Sequence, residues 1–184
     1  MKKLIRIHIG ELHASKKPVV IETVLGSCVA VCLYDSRERI GGMNHILLPG
    51  EADLKHFDTS ARYGINAMEL LINRITALGG DRRRIVAKVF GGAQILWAVS
   101  QSNGMGRKNT EFVLEFLQME GIDIVSQDVG GNRARKVLFH TDTGHAFLKT
   151  LPSTGQAAFL RKELKHWDRI RSTAGEPGEI TLFS

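Results

Sequence analysis

Long hydrophobic runs are missing from this chain. No stretch approaches the roughly 20 continuous apolar residues of a membrane-spanning helix, so membrane insertion is not expected. Cysteine is scarce as well: Cys28 and Cys32 stand in one apolar run, too close together for a useful disulfide staple and too few for a thiolate-only zinc site. Reduced thiols are the expectation. Proline occurs only 4 times and aromatics make up 7%, while 43% of residues are hydrophobic and 24% charged. That balance excludes disordered, collagen-like and coiled-coil classes. A chain of 184 residues buries roughly 70% of its unfolded surface as one compact domain.

A strong charge of one sign is also absent. The formal charge is +6, enough for weak attraction to anionic partners. The basic residues are scattered among Arg82-Arg83-Arg84, Arg133-Ala134-Arg135-Lys136 and Arg161-Lys162, without the interleaved aromatics that stack exposed bases. A solvated basic surface is favoured over a nucleic-acid partner. Met1-Lys2-Lys3 leads into alternating residues 4–9 rather than an apolar secretory core, so a cytoplasmic location is expected.

Alternation predicts a first strand over residues 4–9 and β-branched residues a second over 18–24. A Gly26-Ser27-Cys28 bend then opens the apolar run 29–34, as in a strand covered on both faces, with 35–38 its exposed exit. Residues 41–48 form the next strand, joined to it as a long-looped hairpin, and 51–60 a surface loop. Apolar residues at three- and four-residue steps predict a helix from about Ala61 to Gly79. A strand over 85–90, a helix capped by Asn109 and running to Glu120, and a strand over 122–125 follow. After the glycine-rich turn 129–133 comes a hairpin of 135–140 and 145–149. Residues 156–170 read as one more helix, and 171–184 as a loose tail.

A cysteine at a Gly-Ser-Cys bend can project its thiol into a cleft toward which neighbouring backbone N–H groups also point, which suits a nucleophile with an oxyanion hole. A base must lie within hydrogen-bond reach, and His45 is best placed because pairing brings its strand beside the one that Cys28 opens. Spacing alone is equally met by a small core cysteine and a structural histidine. Cys32, inside the apolar run, reads as core. His8, His13 and His56 fit no metal-ligand spacing, and no metal or cofactor is expected. Gly91-Gly92 and Gly130-Gly131 match no phosphate-binding signature and read as close backbone approach or turn geometry. Asn132 and Arg133 either brace their loop or position a polar substrate.

Five ordered blocks, Thr23-Val24-Leu25-Gly26-Ser27-Cys28-Val29-Ala30-Val31-Cys32-Leu33-Tyr34-Asp35, Gly42-Met43-Asn44-His45-Ile46-Leu47-Leu48-Pro49, Lys88-Val89-Phe90-Gly91-Gly92-Ala93, Gly106-Arg107-Lys108-Asn109 and Asp128-Val129-Gly130-Gly131-Asn132-Arg133, resemble the CheD family of chemoreceptor glutamine deamidases. The resemblance spans about 19–151. It implies an α/β fold of α+β type: one deamidase domain over residues 1–155, two mainly antiparallel or mixed sheets packed as a sandwich with helices outside. Residues 156–184, a helix and tail, fall outside it.

The resemblance further implies hydrolysis of receptor glutamines to glutamate with release of ammonia. Cys28 would be the nucleophile and His45 the base, with Gly26, Ser27, Asn132 and Arg133 contacting substrate. Methyl-accepting chemotaxis proteins are the implied substrates and CheC the implied regulatory partner in organisms that have it. The third catalytic group is Thr23, five residues before the cysteine, with Glu22, in the sixth place, as the alternative. Competing readings are another thiol amidase or esterase using the same pair, and a non-enzymatic adaptor that binds receptor or CheC.

Overall fold

The computed structural model describes residues 2–50, 52–94, 104–152 and 156–174, with the side chains of 161–170 and 172 in the last segment. The chain is a single α+β domain built on two mixed sheets. One has the order β1 (Lys3–Arg6), β3 (Val19–Leu25), β8 (Arg135–His140), β9 (Ala146–Thr150). The other runs β2 (Leu12–Ser15), β5 (Ile40–Asn44), β4 (Val29–Asp35), β6 (Ile85–Gly91), β7 (Ile124–Val129). The β1–β3 and β6–β7 pairs are parallel and the rest antiparallel.

Strand β4 explains the layering. Val29, Val31 and Leu33 point to a core shared with the helices α1 (Thr59–Ala77) and α2 (Met105–Met119), where Met68, Leu71, Ile72, Phe112 and Phe116 meet them. Ala30 and Cys32 point the other way, into a second core with Ile21, Leu25, Phe90, Val137 and Phe139 between the two sheets. Two covered faces require an apolar run without alternation, as its sequence shows. Helix α1 begins where Asp58 accepts a bond from Ala61 N (2.7 Å) and ends where Gly80 N donates to Ile75 O.

Several local expectations shift. Strand β2 was not legible, because four residues carry too little periodicity. The β4–β5 connection is a tight turn over residues 36–39 rather than a long loop. Asp35 is fully buried, not an exposed exit: its carboxylate accepts from Arg37 N, Glu38 N, Asp81 N and the Arg84 guanidinium. Burial pushes its pKa up, but these donors outweigh that and hold it below the ordinary carboxylate range. Arg82 pairs with Glu69 and Glu120, and Arg83 with Asp81, so the triple-arginine run is largely neutralised by its neighbours.

Helix α2 starts after Gly104, not at Asn109, which lies inside it and is 1% exposed. Strand β7 occupies 124–129, later than expected. The last helix, α3 (Gln156–Ala174), runs past the expected end at 170; the remainder of the expected tail, 175–184, lies outside the described residues. Among the described residues no helix is long and apolar enough to cross a membrane.

Candidate active site

The bend between β3 and β4 turns the chain from one sheet to the other, so Cys28 sits at the seam of the sandwich. Across it, Val29 and Ile46 exchange both backbone hydrogen bonds, at 3.0 and 2.7 Å, an antiparallel bridge that sets Cys28 opposite Leu47 and His45 opposite Ala30, so that Cys28 and His45 are diagonal neighbours on one face. His45 lies just past the end of β5, and its backbone is held by the turn before β2, through Glu11 O (3.0 Å) and Gly10 N (2.9 Å). The juxtaposition of Cys28 and His45 expected from strand pairing is present.

Gly91 keeps the seam tight. Its φ is +112°, and a Cβ there would stand 2.2 Å from Cys28 O, so only glycine lets β6 approach the bend. Gly92 N donates to Cys28 O at 2.8 Å. The Gly91-Gly92 pair is thus a close-approach feature, one of the readings its sequence allowed.

Thr23 faces the sandwich with Ile21 and Leu25, and its hydroxyl touches both Ile7 O (2.9 Å) and His45 Nδ1 (2.8 Å). A hydroxyl has one hydrogen. Since the carbonyl can only accept, that hydrogen goes to Ile7, and Thr23 Oγ1 accepts from His45 Nδ1–H. The opposite nitrogen, Nε2, therefore carries a free lone pair, and it is buried with no hydrogen-bond partner among the described residues. Glu22, one residue away, faces oppositely and is held by Arg6 and Lys136. The alternation of a strand places Thr23, not Glu22, against the imidazole.

Three successive backbone N–H groups at the bend converge on one carboxylate, that of Glu163 on α3. Its Oε1 accepts from Gly26 N (3.0 Å) and Cys28 N (3.5 Å), and its Oε2 from Ser27 N (3.0 Å) and Ser27 Oγ (2.9 Å). Such a nest of N–H groups binds negative oxygen. Ligand atoms of Cys28, His45 and Glu163 all lie within 4.8 Å of one another. These donor types suit a divalent cation such as zinc. Both carboxylate oxygens are already engaged by four N–H and O–H donors, however, which makes the carboxylate a guest of the bend rather than a free ligand.

An open thiol was expected at the bend, and the structure differs. Cys28 has no exposed surface and His45 only 3%, because α3 lies over them. Burial, together with the charge and hydrogen bond of Glu163, pushes the Cys28 thiol well up. Burial, with lesser repulsion from His8 and His166, lowers His45 from 6.5 to about 3. In this state the pair is a neutral thiol beside a neutral imidazole. A cavity of about 400 Å³ reaches Thr23 and His45 from the side, walled by Arg6, His8, Lys162 and His166. Cys32 is buried in the inter-sheet core, where desolvation raises its pKa further.

Asn132 and Arg133 are exposed on the loop before β8, outside the cluster formed by Cys28, His45, Thr23 and Glu163. Their loop is nonetheless tied to the bend, since Gln94 N donates to Gly131 O and Ala93 N to Gly26 O, both at 2.8 Å. The bracing falls to Arg135, whose guanidinium donates to Gly91 O, Asp128 O and Gly130 O. Asn109 was misread as a helix cap. It donates to Ser27 O (2.9 Å) and accepts from Leu48 N (3.0 Å), tying α2 to both segments that carry the pair. His13 sits on β2 and His56 pairs with exposed Asp53, both away from this cluster.

Comparison with known proteins bears on this geometry. A family model described as CheD chemotactic sensory transduction matches residues 47–150. A Shewanella oneidensis protein named "Probable chemoreceptor glutamine deamidase CheD 1" is 40% identical over 184 residues, covering 99% of this chain and 88% of its own length. The chain belongs to the CheD family. A Chromobacterium violaceum protein named "Probable chemoreceptor glutamine deamidase CheD 2" is 40% identical over 182 residues, with 97% of this chain and 89% of its own covered. One from Vibrio vulnificus, with the CheD deamidase name, is 37% identical over 188 residues, covering 98% and 86%. The family model begins after Cys28 and His45, whereas the alignment to the Shewanella relative spans nearly the whole CheD-family chain, the bend and α3 included.

Proposed function

We propose that this CheD-family chain hydrolyses glutamine side chains of chemotaxis receptors to glutamate, by way of a thioester on Cys28. The observation that carries the reading is His45, a ring nitrogen of which lies within 4.8 Å of the Cys28 sulfur, and whose Nε2 is buried without a partner among the described residues while Thr23 occupies Nδ1. A buried nitrogen without a partner is costly, and a catalytic role that needs it free explains why the cost is borne.

With the N–H groups of the bend open, His45 Nε2 takes the Cys28 proton and the sulfur attacks the carboxamide carbon. The amide oxygen, now negative, is held by Gly26 N, Ser27 N and Cys28 N, the donors that hold a carboxylate in this structure. Protonated His45 gives its proton to the nitrogen, the C–N bond breaks and ammonia leaves. Water, deprotonated by the now neutral His45, then attacks the thioester. The C–S bond breaks, glutamate is released and the thiol regains its proton. Thr23 acts as a positioning residue that keeps the proton on Nδ1.

Receptor cytoplasmic regions are the substrate, which places the reaction in the cytoplasm. In this reading Asn132 and Arg133 meet the receptor surface, which their exposure on a loop tied to the bend supports. CheC is a regulatory partner where it is present, to be tested by co-elution. The deciding experiment incubates a purified receptor cytoplasmic fragment with wild type, Cys28→Ala and His45→Ala. Wild type should raise the mass by about one dalton per site and release ammonia, and both variants should lose this. Release of methanol would replace the reading with an esterase, and full chemotaxis with Cys28→Ala would replace it with an adaptor.

A further inference from the structure

The deamidase reading leaves one group unexplained: the carboxylate that fills the oxyanion site. Glu163 is 2% exposed and comes from a helix far along the chain, yet it accepts hydrogen bonds from Gly26, Ser27 and Cys28. A glutamate side chain projecting from a helix into those donors is chemically what a deamidated helix would leave there. Among the described side chains of the helix, Glu163 is the buried one. Trp167, four residues on, packs on the inter-sheet core, and Lys162 and His166 wall the cavity, while Arg161, Lys165, Asp168 and Arg169 are exposed.

Resting on the deamidase reading, we propose that α3 lies in the groove that receives the substrate helix, with Glu163 in the place of the product glutamate. The groove then defines its substrate: a helix bearing glutamine, with an apolar residue one turn toward the C-terminus to replace Trp167. An occupant on the same chain is at high effective concentration, so a receptor helix must displace it. Apparent affinity falls by the fraction of molecules in which the groove is open. Docked, α3 also keeps the machinery idle, since the carboxylate fills the oxyanion site.

Glu163→Gln tests the placement directly, because it converts product into substrate with minimal change of shape. The carboxamide oxygen keeps the Gly26 and Cys28 donors, while the NH2 group faces Ser27 Oγ, which rotates to accept, and Ser27 N–H, whose bond to the side chain is lost. Cys28 should attack that carboxamide, expel ammonia and let water restore glutamate, consuming one water. Mass spectrometry of the segment spanning position 163 should find glutamate in purified full-length E163Q, about one dalton heavier than encoded, and glutamine in E163Q combined with Cys28→Ala. Separately, Glu163→Ala should release ammonia from a receptor fragment about tenfold faster than wild type at sub-saturating substrate.

If wild type deamidates the receptor fragment through Cys28, yet E163Q keeps its glutamine and E163A is no faster, α3 is a structural helix and the inference is overturned. If neither wild type nor any variant releases ammonia, the deamidase reading falls, and the inference with it. Should E163A fold poorly, the E163Q conversion alone decides between support and refutation.

Discussion

Thr23→Val tests the tautomer argument most sharply, because valine keeps the shape and removes only the hydroxyl. Two hydrogen bonds vanish, to Ile7 O at 2.9 Å and from His45 Nδ1–H at 2.8 Å. A buried polar group left without a partner costs about 1–3 kcal/mol. The imidazole shares that cost, since without the hydroxyl neither of its nitrogens has a partner among the described residues, and nothing keeps its proton on Nδ1. Stability should therefore fall by about 2–6 kcal/mol, the shares of the Ile7 carbonyl and the His45 ring together, read as a lower urea midpoint at unchanged slope. Activity should suffer far more. With hydrogen on Nε2 nothing accepts the Cys28 proton, and a general base is worth about a hundredfold or more in rate. Thr23→Ser, which keeps the hydroxyl, should recover most of it. Ammonia release from a receptor fragment measures both. A kcat for Thr23→Val within about threefold of wild type, alongside the expected loss of stability, would show that the hydroxyl only braces the fold.

Other perturbations have equally definite outcomes. His45 is lowered from 6.5 to about 3 by burial, with His8 and His166 contributing repulsion, so the unfolded chain binds one more proton between those values. Stability should then rise with pH across that window, by up to roughly 1.4 kcal/mol per unit, and urea midpoints of His45→Gln should lack that component. Asn109→Leu strands Ser27 O and Leu48 N, and should cost about 2–4 kcal/mol in chemical denaturation while slowing ammonia release. Gly91→Ala forces a Cβ against Cys28 O at a φ of +112°, and should cost at least about 2 kcal/mol by the same assay. Cys32→Ala, a change within the inter-sheet core, should lower stability but leave ammonia release intact, in contrast to Cys28→Ala.

The parts of this protein legible in its sequence are those in which a local pattern has a local cause. Both faces of β4 are covered, and its residues are apolar without alternation. A glycine bend opens the strand with Cys28, and antiparallel pairing then has to bring the segment of His45 alongside. Helix α1 announced itself by its spacing and its ending glycines. The choice between Thr23 and Glu22 was beyond one-dimensional reading, because it depends on which face of β3 points into the sandwich.

Long-range encounters decided the rest. Asn109 looked like a cap because a side chain that tethers two distant segments has the same local signature as one that starts a helix. Arg135 binds three carbonyls of loops that only the folded sheets bring together. Glu163 stood in an ordinary amphipathic stretch, and its burial exists only because α3 folds back onto a bend more than a hundred residues earlier. The sequence determined which atoms are able to react. Tertiary structure determined that the Cys28 sulfur is covered and which carboxylate covers it, since neither burial nor charge at a point in space is a property of neighbours along the chain.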